Sequence, residues 1–224
     1  MISKDTLEYA VANQKKKITM QDAGLSRFLL PSLPDAASHA LIISGVRRCG
    51  KSTLLLQMLK KQKQKQFYLN LDDPLLFDFD ISDFQVIDQI IKEKKAQFLF
   101  FDEPQIVKGW EIYIKQKLEE KYRVFVTGSN ASLLSRELGT RLTGRHITKE
   151  LFPFSYQEFV KFEKVKTGIE SFQKYIDLGG FPEYLKNQNS DILSLLFDDI
   201  LNRDIIIRYG VRDAHSLKKL ALYL

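Results

Sequence analysis

Two short apolar stretches, Ala40-Leu41-Ile42-Ile43 and Thr53-Leu54-Leu55-Leu56, bracket the segment that most constrains this chain. Between them runs Gly45-Val46-Arg47-Arg48-Cys49-Gly50-Lys51-Ser52. A Gly-x-x-x-x-Gly-Lys-Ser pattern placed after a strand and before a helix reads as a phosphate-binding loop. Its glycines permit a tight turn that aims successive backbone N–H groups at one point. The start of the following helix favours an anion there. Lys51 is expected at the β- and γ-phosphates, Ser52 on Mg²⁺ and Thr53 near the α-phosphate. The expected ligand is a nucleoside triphosphate with Mg²⁺. The expected binding residues are Gly45, Val46, Arg47, Arg48, Cys49, Gly50, Lys51, Ser52 and Thr53. At Arg47, Arg48 and Cys49 the backbone is expected to matter more than the side chain.

A second element follows. Phe98-Leu99-Phe100-Phe101-Asp102-Glu103 is an apolar run ending in two acids. Asp102, at the carboxyl end of a buried strand, is placed to hold Mg²⁺ through water. Glu103 is placed to orient or deprotonate an attacking water. A third element, Val124-Phe125-Val126-Thr127-Gly128-Ser129-Asn130, ends a strand in small polar residues. Asn130, or else Ser129, is expected to touch the γ-phosphate or the attacking water. Ser and Asn are also preferred helix N-caps, so a purely structural role fits either one.

The chain has 224 residues, 44% hydrophobic and 28% charged, which is an ordinary globular balance. No stretch approaches the roughly 18 consecutive apolar residues of a membrane span. Nothing near Met1 resembles a secretory leader. With one cysteine, an internal disulfide framework is excluded and a cytoplasmic location is expected. His39, His146 and His215 show no metal-ligand spacing. The formal net charge of +6 is compatible with a nucleic-acid partner. Many lysines nevertheless close predicted helices, where the macrodipole favours cations: Lys60, Lys61, Lys63 and Lys65, then Lys92, Lys94 and Lys95.

Strands are predicted at residues 40–44, 67–71, 98–101 and 123–127. Helical stripes lie between them, including Phe84, Ile87, Ile90 and Ile91, and Trp110, Tyr113, Ile114 and Leu118. Alternating strand and helix signals imply an α/β fold with a mainly parallel sheet. Beyond Leu151-Phe152-Pro153-Phe154 the pattern is helical, at 155–162, 170–178 and about 191–209. Two regions follow: an ATPase-type domain over 1–152 and a smaller helical region over 153–224. Residues 216–224 look like a helix cut off in mid-pattern. A truncated gene, or an end that docks on another subunit, is the expectation.

An ordered series of motifs carries a family resemblance. It comprises residues 45–52, Tyr68-Leu69-Asn70-Leu71-Asp72-Asp73-Pro74 and Phe101-Asp102-Glu103-Pro104-Gln105. It continues with Thr127-Gly128-Ser129-Asn130, Leu142-Thr143-Gly144-Arg145, Leu151-Phe152-Pro153-Phe154-Ser155 and Gly179-Gly180-Phe181-Pro182-Glu183. The chain resembles a prokaryotic branch of the AAA+-like P-loop ATPases, in which a C-terminal domain of unknown function follows the ATPase. Asn202-Arg203-Asp204-Ile205 is similar to the opening of that C-terminal region. The resemblance implies a five-stranded parallel P-loop sheet of order 5-1-4-3-2, and ATP rather than GTP. The absence of an Asn-Lys-x-Asp guanine-reading element agrees. Pro104 departs from the family pattern, where an aliphatic residue separates Glu from Gln, and is expected to shift Gln105.

Arg136, Arg141 and Arg145 cluster after the third element. In an AAA+-like enzyme one of them could act as an arginine finger, in trans or in cis, and Arg145 is the candidate; surface arginines paired with Glu137 or solvated are the alternative. Candidate catalytic residues are therefore Glu103, Asn130 and Arg145, with Ser52 and Asp102 for the metal. The leading expectation is Mg²⁺-dependent ATP hydrolysis coupled to conformational change, with a second copy or another protein as partner. Two alternatives stay open. One is an ATP-gated regulatory or DNA-associated switch with little turnover. The other is a small-molecule kinase, whose arginines would form a phosphate-clamping lid.

Overall fold

The computed structural model describes residues 1–129, 142, 144–207 and 209–223. They form two compact units, one of Met1–Ser44 with Lys51–Leu151 and one of Gly45–Gly50 with Phe152–Leu224.

The first unit is built on five parallel strands: β1 (Ala40–Ser44), β2 (Gln66–Asn70), β3 (Phe98–Asp102), β4 (Arg123–Thr127) and β5 (His146–Glu150). Their spatial order is β2-β3-β4-β1-β5, the 5-1-4-3-2 order read from the other edge. All five residues of β1 are buried. That is why it reads as an uninterrupted apolar run: a central parallel strand is covered on both faces. At the edge, β5 carries His-Ile-Thr-Lys-Glu and no residue of it is buried. Its composition gives little strand signal, and it was not found among the residues read as strands.

Helices α2 (Lys51–Lys61), α3 (Phe84–Glu93) and α4 (Trp110–Glu119) connect the strands. A further helix, α1 (Lys4–Met20), precedes the sheet and was not anticipated. Ser3 caps it by accepting from the Thr6 N–H. Leu7, Ala10, Val11 and Gln14 are its buried residues, spaced as one helical stripe. These apolar residues join Ile87 and Ile91 of α3, Trp110 and Ile114 of α4, and Phe67, Leu69, Leu99, Phe101, Val124 and Val126 of the sheet in one core. The alternate strand residues, including Phe98, Phe100, Phe125 and Leu41, lie outside that cluster. Period-two alternation puts them on the opposite face, where α2 packs on β3 and β4.

Asp73 is used structurally. It caps the turn at Pro74–Leu76 and accepts from Gln14 Nε2 at 2.9 Å. Trp110, 4% exposed, belongs to the core, as its helical position suggested.

The second unit contains α5 (Tyr156–Glu163), α6 (Ile169–Leu178), α7 (Pro182–Asn187), α8 (Asp191–Asp199) and α9 (Ala214–Tyr223). A single helix was expected over about 191–209. Instead α8 widens into a π-helical segment at Ile200–Ile207. Gly180 meets the backbone so closely that a Cβ there would lie 2.3 Å from the Phe154 carbonyl oxygen. The Phe154 N–H donates to the Gly180 carbonyl at 2.7 Å. Among the described residues, no helix is long and apolar enough to cross a membrane.

Candidate functional site

The site grows from the ends of three neighbouring strands. In parallel register Asp102 lies opposite Thr127 on β4 and Asn70 on β2. The two acids at the end of β3 therefore emerge at the carboxyl edge of the sheet, where ligands of open α/β sheets bind.

Asp102 is 2% exposed and held from several sides. Thr127 Oγ1 donates to its Oδ1 in a short hydrogen bond, and the Tyr68 hydroxyl donates to Oδ2 at 3.4 Å. Ser52 also hydrogen-bonds to the carboxylate, and the Lys51 ammonium acts on it electrostatically. Burial pushes the Asp102 carboxyl above the usual carboxylate range. Thr127, Ser52, Lys51 and Tyr68 pull the other way without offsetting burial. Burial, together with the Asp102 charge, likewise drives the Tyr68 hydroxyl well above the ordinary tyrosine value. Lys51 is only 6% exposed. A buried carboxylate, a hydroxyl and an ammonium thus converge on a small volume at the head of α2.

Magnesium is commonly held by one or two protein groups, waters and substrate phosphates rather than by an all-protein cage. The Ser52 hydroxyl and Asp102 carboxylate side by side fit that donor set. Among the described residues there is no group of three or more His, Cys, Asp or Glu able to hold a metal.

Glu103 follows directly, with φ at 55°, the left-handed region. Its N–H donates to the Thr127 carbonyl at 2.8 Å, locking the turn to β4. Non-glycine residues in this conformation are uncommon and concentrate at functional turns. Pro104 opens the short helical turn Pro104–Ile106. That turn sends Gln105 Nε2 back to Glu103 Oε2 in a short hydrogen bond. The Gln105 Oε1 atom is buried and lacks a hydrogen-bond partner among the described residues. Ser129, 8% exposed, follows β4. Asn130, Arg136 and Arg141 lie outside the described residues.

Arg145 does not join this group within one chain. It precedes β5, and its carbonyl accepts from the Ala40 N–H at 3.0 Å. It therefore sits at the amino ends of the strands, about 13 Å along the sheet from Asp102 at 3.3 Å per residue. Its side chain is 48% exposed and pairs with Glu119 at 3.6 Å.

In the second unit, the loop residues Gly45–Gly50 have φ values of 159° at Gly45, 60° at Arg48 and 101° at Gly50. Val46 and Cys49 close a turn, N–H to carbonyl at 3.4 Å. Cys49 is fully buried. Arg47 Nε donates to Asp204 Oδ2 at 3.2 Å, and Arg48 pairs with Glu183 at 3.3 Å. The arginine side chains, expected to matter less than their backbone, thus have defined acidic partners. Glu183 and Asp204 lie 135 and 157 residues away in sequence, so no local pattern could have found these pairs. Tyr68 and Thr127 were legible only as parts of motifs. Their role as partners of Asp102 depends on strand register.

A family of proteins described as "AAA domain" matches residues 37–160, more than half of the chain. An uncharacterized protein of Methanocaldococcus jannaschii is 32% identical over 96% of this chain and 50% of its own length. An uncharacterized protein of Haemophilus influenzae is 35% identical over 82% of this chain and 50% of its own. The chain spans about half the length of these curated relatives. Among solved structures, a Walker-type ATPase of Pyrococcus abyssi is similar at 16% identity, with a TM-score of 0.43. That match covers 82% of this chain and 71% of the other.

Proposed function

The chain belongs to the AAA domain family of P-loop ATPases, and we propose that it binds ATP with Mg²⁺ and hydrolyses the β–γ phosphoanhydride bond. One observation carries the proposal: Lys51, Ser52 and Asp102 are gathered at the carboxyl edge of the sheet, with Asp102 buried and hydrogen-bonded to Ser52. Lys51 would act on the β- and γ-phosphates, with Thr53 beside the α-phosphate. Ser52 and Asp102 would hold Mg²⁺, which when bound neutralises charge developing on the phosphates. Glu103 would orient the attacking water. Ser129 or Asn130 would touch the γ-phosphate. Arg145 would act only on the site of a second copy, because its place at the amino ends of the strands keeps it from its own.

A second reading has its own support. Arg47 and Arg48 are paired with Asp204 and Glu183. An anion engaging these arginines would compete with both carboxylates, so nucleotide state would be felt by the helices that carry them. Coupling of that kind serves an ATP-gated switch as well as a fast ATPase. Phosphate release by the purified chain, with Lys51→Ala and Glu103→Gln beside it, tests the proposal. Release in the wild type that both substitutions abolish is expected. Tight ATP binding without release would leave the switch.

A further inference from the structure

A large cavity lies at the other end of the sheet, within the first unit. Its volume is about 920 Å³. Its floor is the face of the sheet opposite the main core. Phe98 and Phe125, both half-buried, lie parallel there, with ring centroids 6.1 Å apart and planes 10° apart. Phe125 stacks in turn on the buried Phe100 at 4.6 Å and 12°. The three rings form a column whose outer member, Phe98, lines the open cavity. Phe98 and Arg123 are the first residues of β3 and β4, so the cavity lies at the strands' amino ends, away from Asp102.

The rim is cationic. Lys61, Lys63, Lys121 and Arg123 line the cavity against two acids, Asp35 and Glu120. Both acids are engaged: Asp35 by Arg123 in a close ion pair, and Glu120 by Lys117 at 2.6 Å. Lys61, Lys63 and Lys121 have no ion-pair partner among the described residues. Gln64 and Gln97 also line the space. A second cavity of about 410 Å³ shares the Gln62-Lys63-Gln64 ridge. Lys15, Lys60, Lys63, Lys65 and Lys94 line it, and among the described residues no acid does. Helix macrodipoles account for Lys60 and Lys61 in the last turn of α2. They do not account for Lys63, Lys65 and Lys121, which lie outside helices. What unites these cations is the ridge and its two hollows.

We propose that the paired cavities bind single-stranded nucleic acid. An unpaired base would extend the ring column by stacking on Phe98. The glutamine amides would meet base edges, and the backbone would follow the lysines across the 62–64 ridge. Aromatic stacking within a basic groove is the physical basis of single-strand binding. Duplex is disfavoured because its bases are already stacked and cannot reach a ring on the cavity floor.

The test is fluorescence anisotropy with a dye-labelled oligothymidylate of about 15 nucleotides, long enough to cross several basic contacts. Wild type should bind with an affinity that falls steeply with salt. Phe98→Leu keeps apolar volume but removes the π face, and should weaken binding about tenfold. Lys63→Gln with Lys121→Gln, both exposed and harmless to folding, should reduce the salt slope by about one to two. ATP affinity measured in parallel should be unchanged in both variants. Four results would each overturn the proposal. They are no binding at low salt, wild-type affinity and slope in both variants, tighter binding of a duplex, and loss of binding in Lys51→Ala while the cavity variants bind normally.

Discussion

Replacing Thr127 by Val removes one hydroxyl from the wall of the candidate site and little else. Both residues are β-branched and suit a central strand. The Glu103 N–H bond to the residue 127 carbonyl survives, because it uses only the backbone. What is lost is the donor to Asp102 Oδ1. A hydrogen bond to an ionised group contributes about 1.5–3 kcal/mol, and one between neutral groups about 0.5–1.5 kcal/mol. The cost should therefore depend on the charge of Asp102. Burial raises the folded pKa of Asp102 above its ordinary 3.8. A raised carboxyl pKa contributes stability that is fully present below the unfolded value and is lost as pH rises through the folded one. Removing Thr127, which pulls that pKa down, raises it further and extends the loss. The two stability curves should thus diverge with rising pH. Trp110 is the only tryptophan and is buried in the core of the same unit, so urea unfolding followed by its fluorescence reads the effect. The expected penalty is about 0.5–1.5 kcal/mol near the ordinary carboxylate pKa, growing to about 1.5–3 kcal/mol once Asp102 ionises. In an Asp102→Asn background it should stay at the lower figure at every pH. A penalty that ignores pH, or that is equally large in the Asn background, would refute the reasoning.

Other outcomes can be checked directly. Gly180→Ala should unfold the helical unit early. The new methyl displaces the Phe154 carbonyl, which also accepts from the Tyr175 hydroxyl at 2.9 Å, and disturbs the Phe154 N–H bond. Two strained hydrogen bonds and shifted packing amount to about 2–4 kcal/mol, visible as lower amide-exchange protection in α5 and α6. Asp204→Asn with Glu183→Gln should tighten binding of ATP by about two- to thirtyfold, since each of the two partly exposed ion pairs holds its arginine by about 0.2–1 kcal/mol. Unchanged affinity by calorimetry would mean that the pairs do not compete with phosphate. Iodoacetamide should modify Cys49 slowly in the folded chain, because the thiol is fully buried. Rapid labelling measured by mass spectrometry would contradict that burial.

What could be read in advance follows from what local sequence encodes. The central strands announce themselves through apolar runs, complete in β1, and the edge strand β2 through its alternating Phe67 and Leu69. The fifth sits at the edge with mixed chemistry and was legible only through the family resemblance. Helix α1 was missed because its apolar stripe is narrow, three residues and a buried glutamine among many lysines. Lys51, Ser52 and Asp102 could be singled out because the loop motif precedes α2, which Lys51 and Ser52 open, and the apolar run puts Asp102 at the end of β3. The partners of Asp102 were not, because Thr127 and Tyr68 come from neighbouring strands whose register no single segment specifies. Arg145 shows the converse. Its motif suggested a finger in trans or in cis, and a residue that precedes a parallel strand emerges at the amino end of the sheet, away from its own Asp102. The π-helical segment that follows α8 ends on Ile205, Ile206 and Ile207, and β-branched residues are weak helix formers.

The central claim is that Lys51, Asp102 and Glu103 act together on ATP and Mg²⁺. Single-turnover phosphate release should be measured with ATP in place for wild type, Lys51→Ala and Glu103→Gln, alongside nucleotide affinity for each. Wild type should release phosphate only with Mg²⁺. Lys51→Ala should lose binding. Glu103→Gln should keep binding and lose release by at least about a hundredfold, the usual contribution of a positioned general base. Equal release by Glu103→Gln and wild type, or ATP affinity unaffected by Lys51→Ala, would contradict the account.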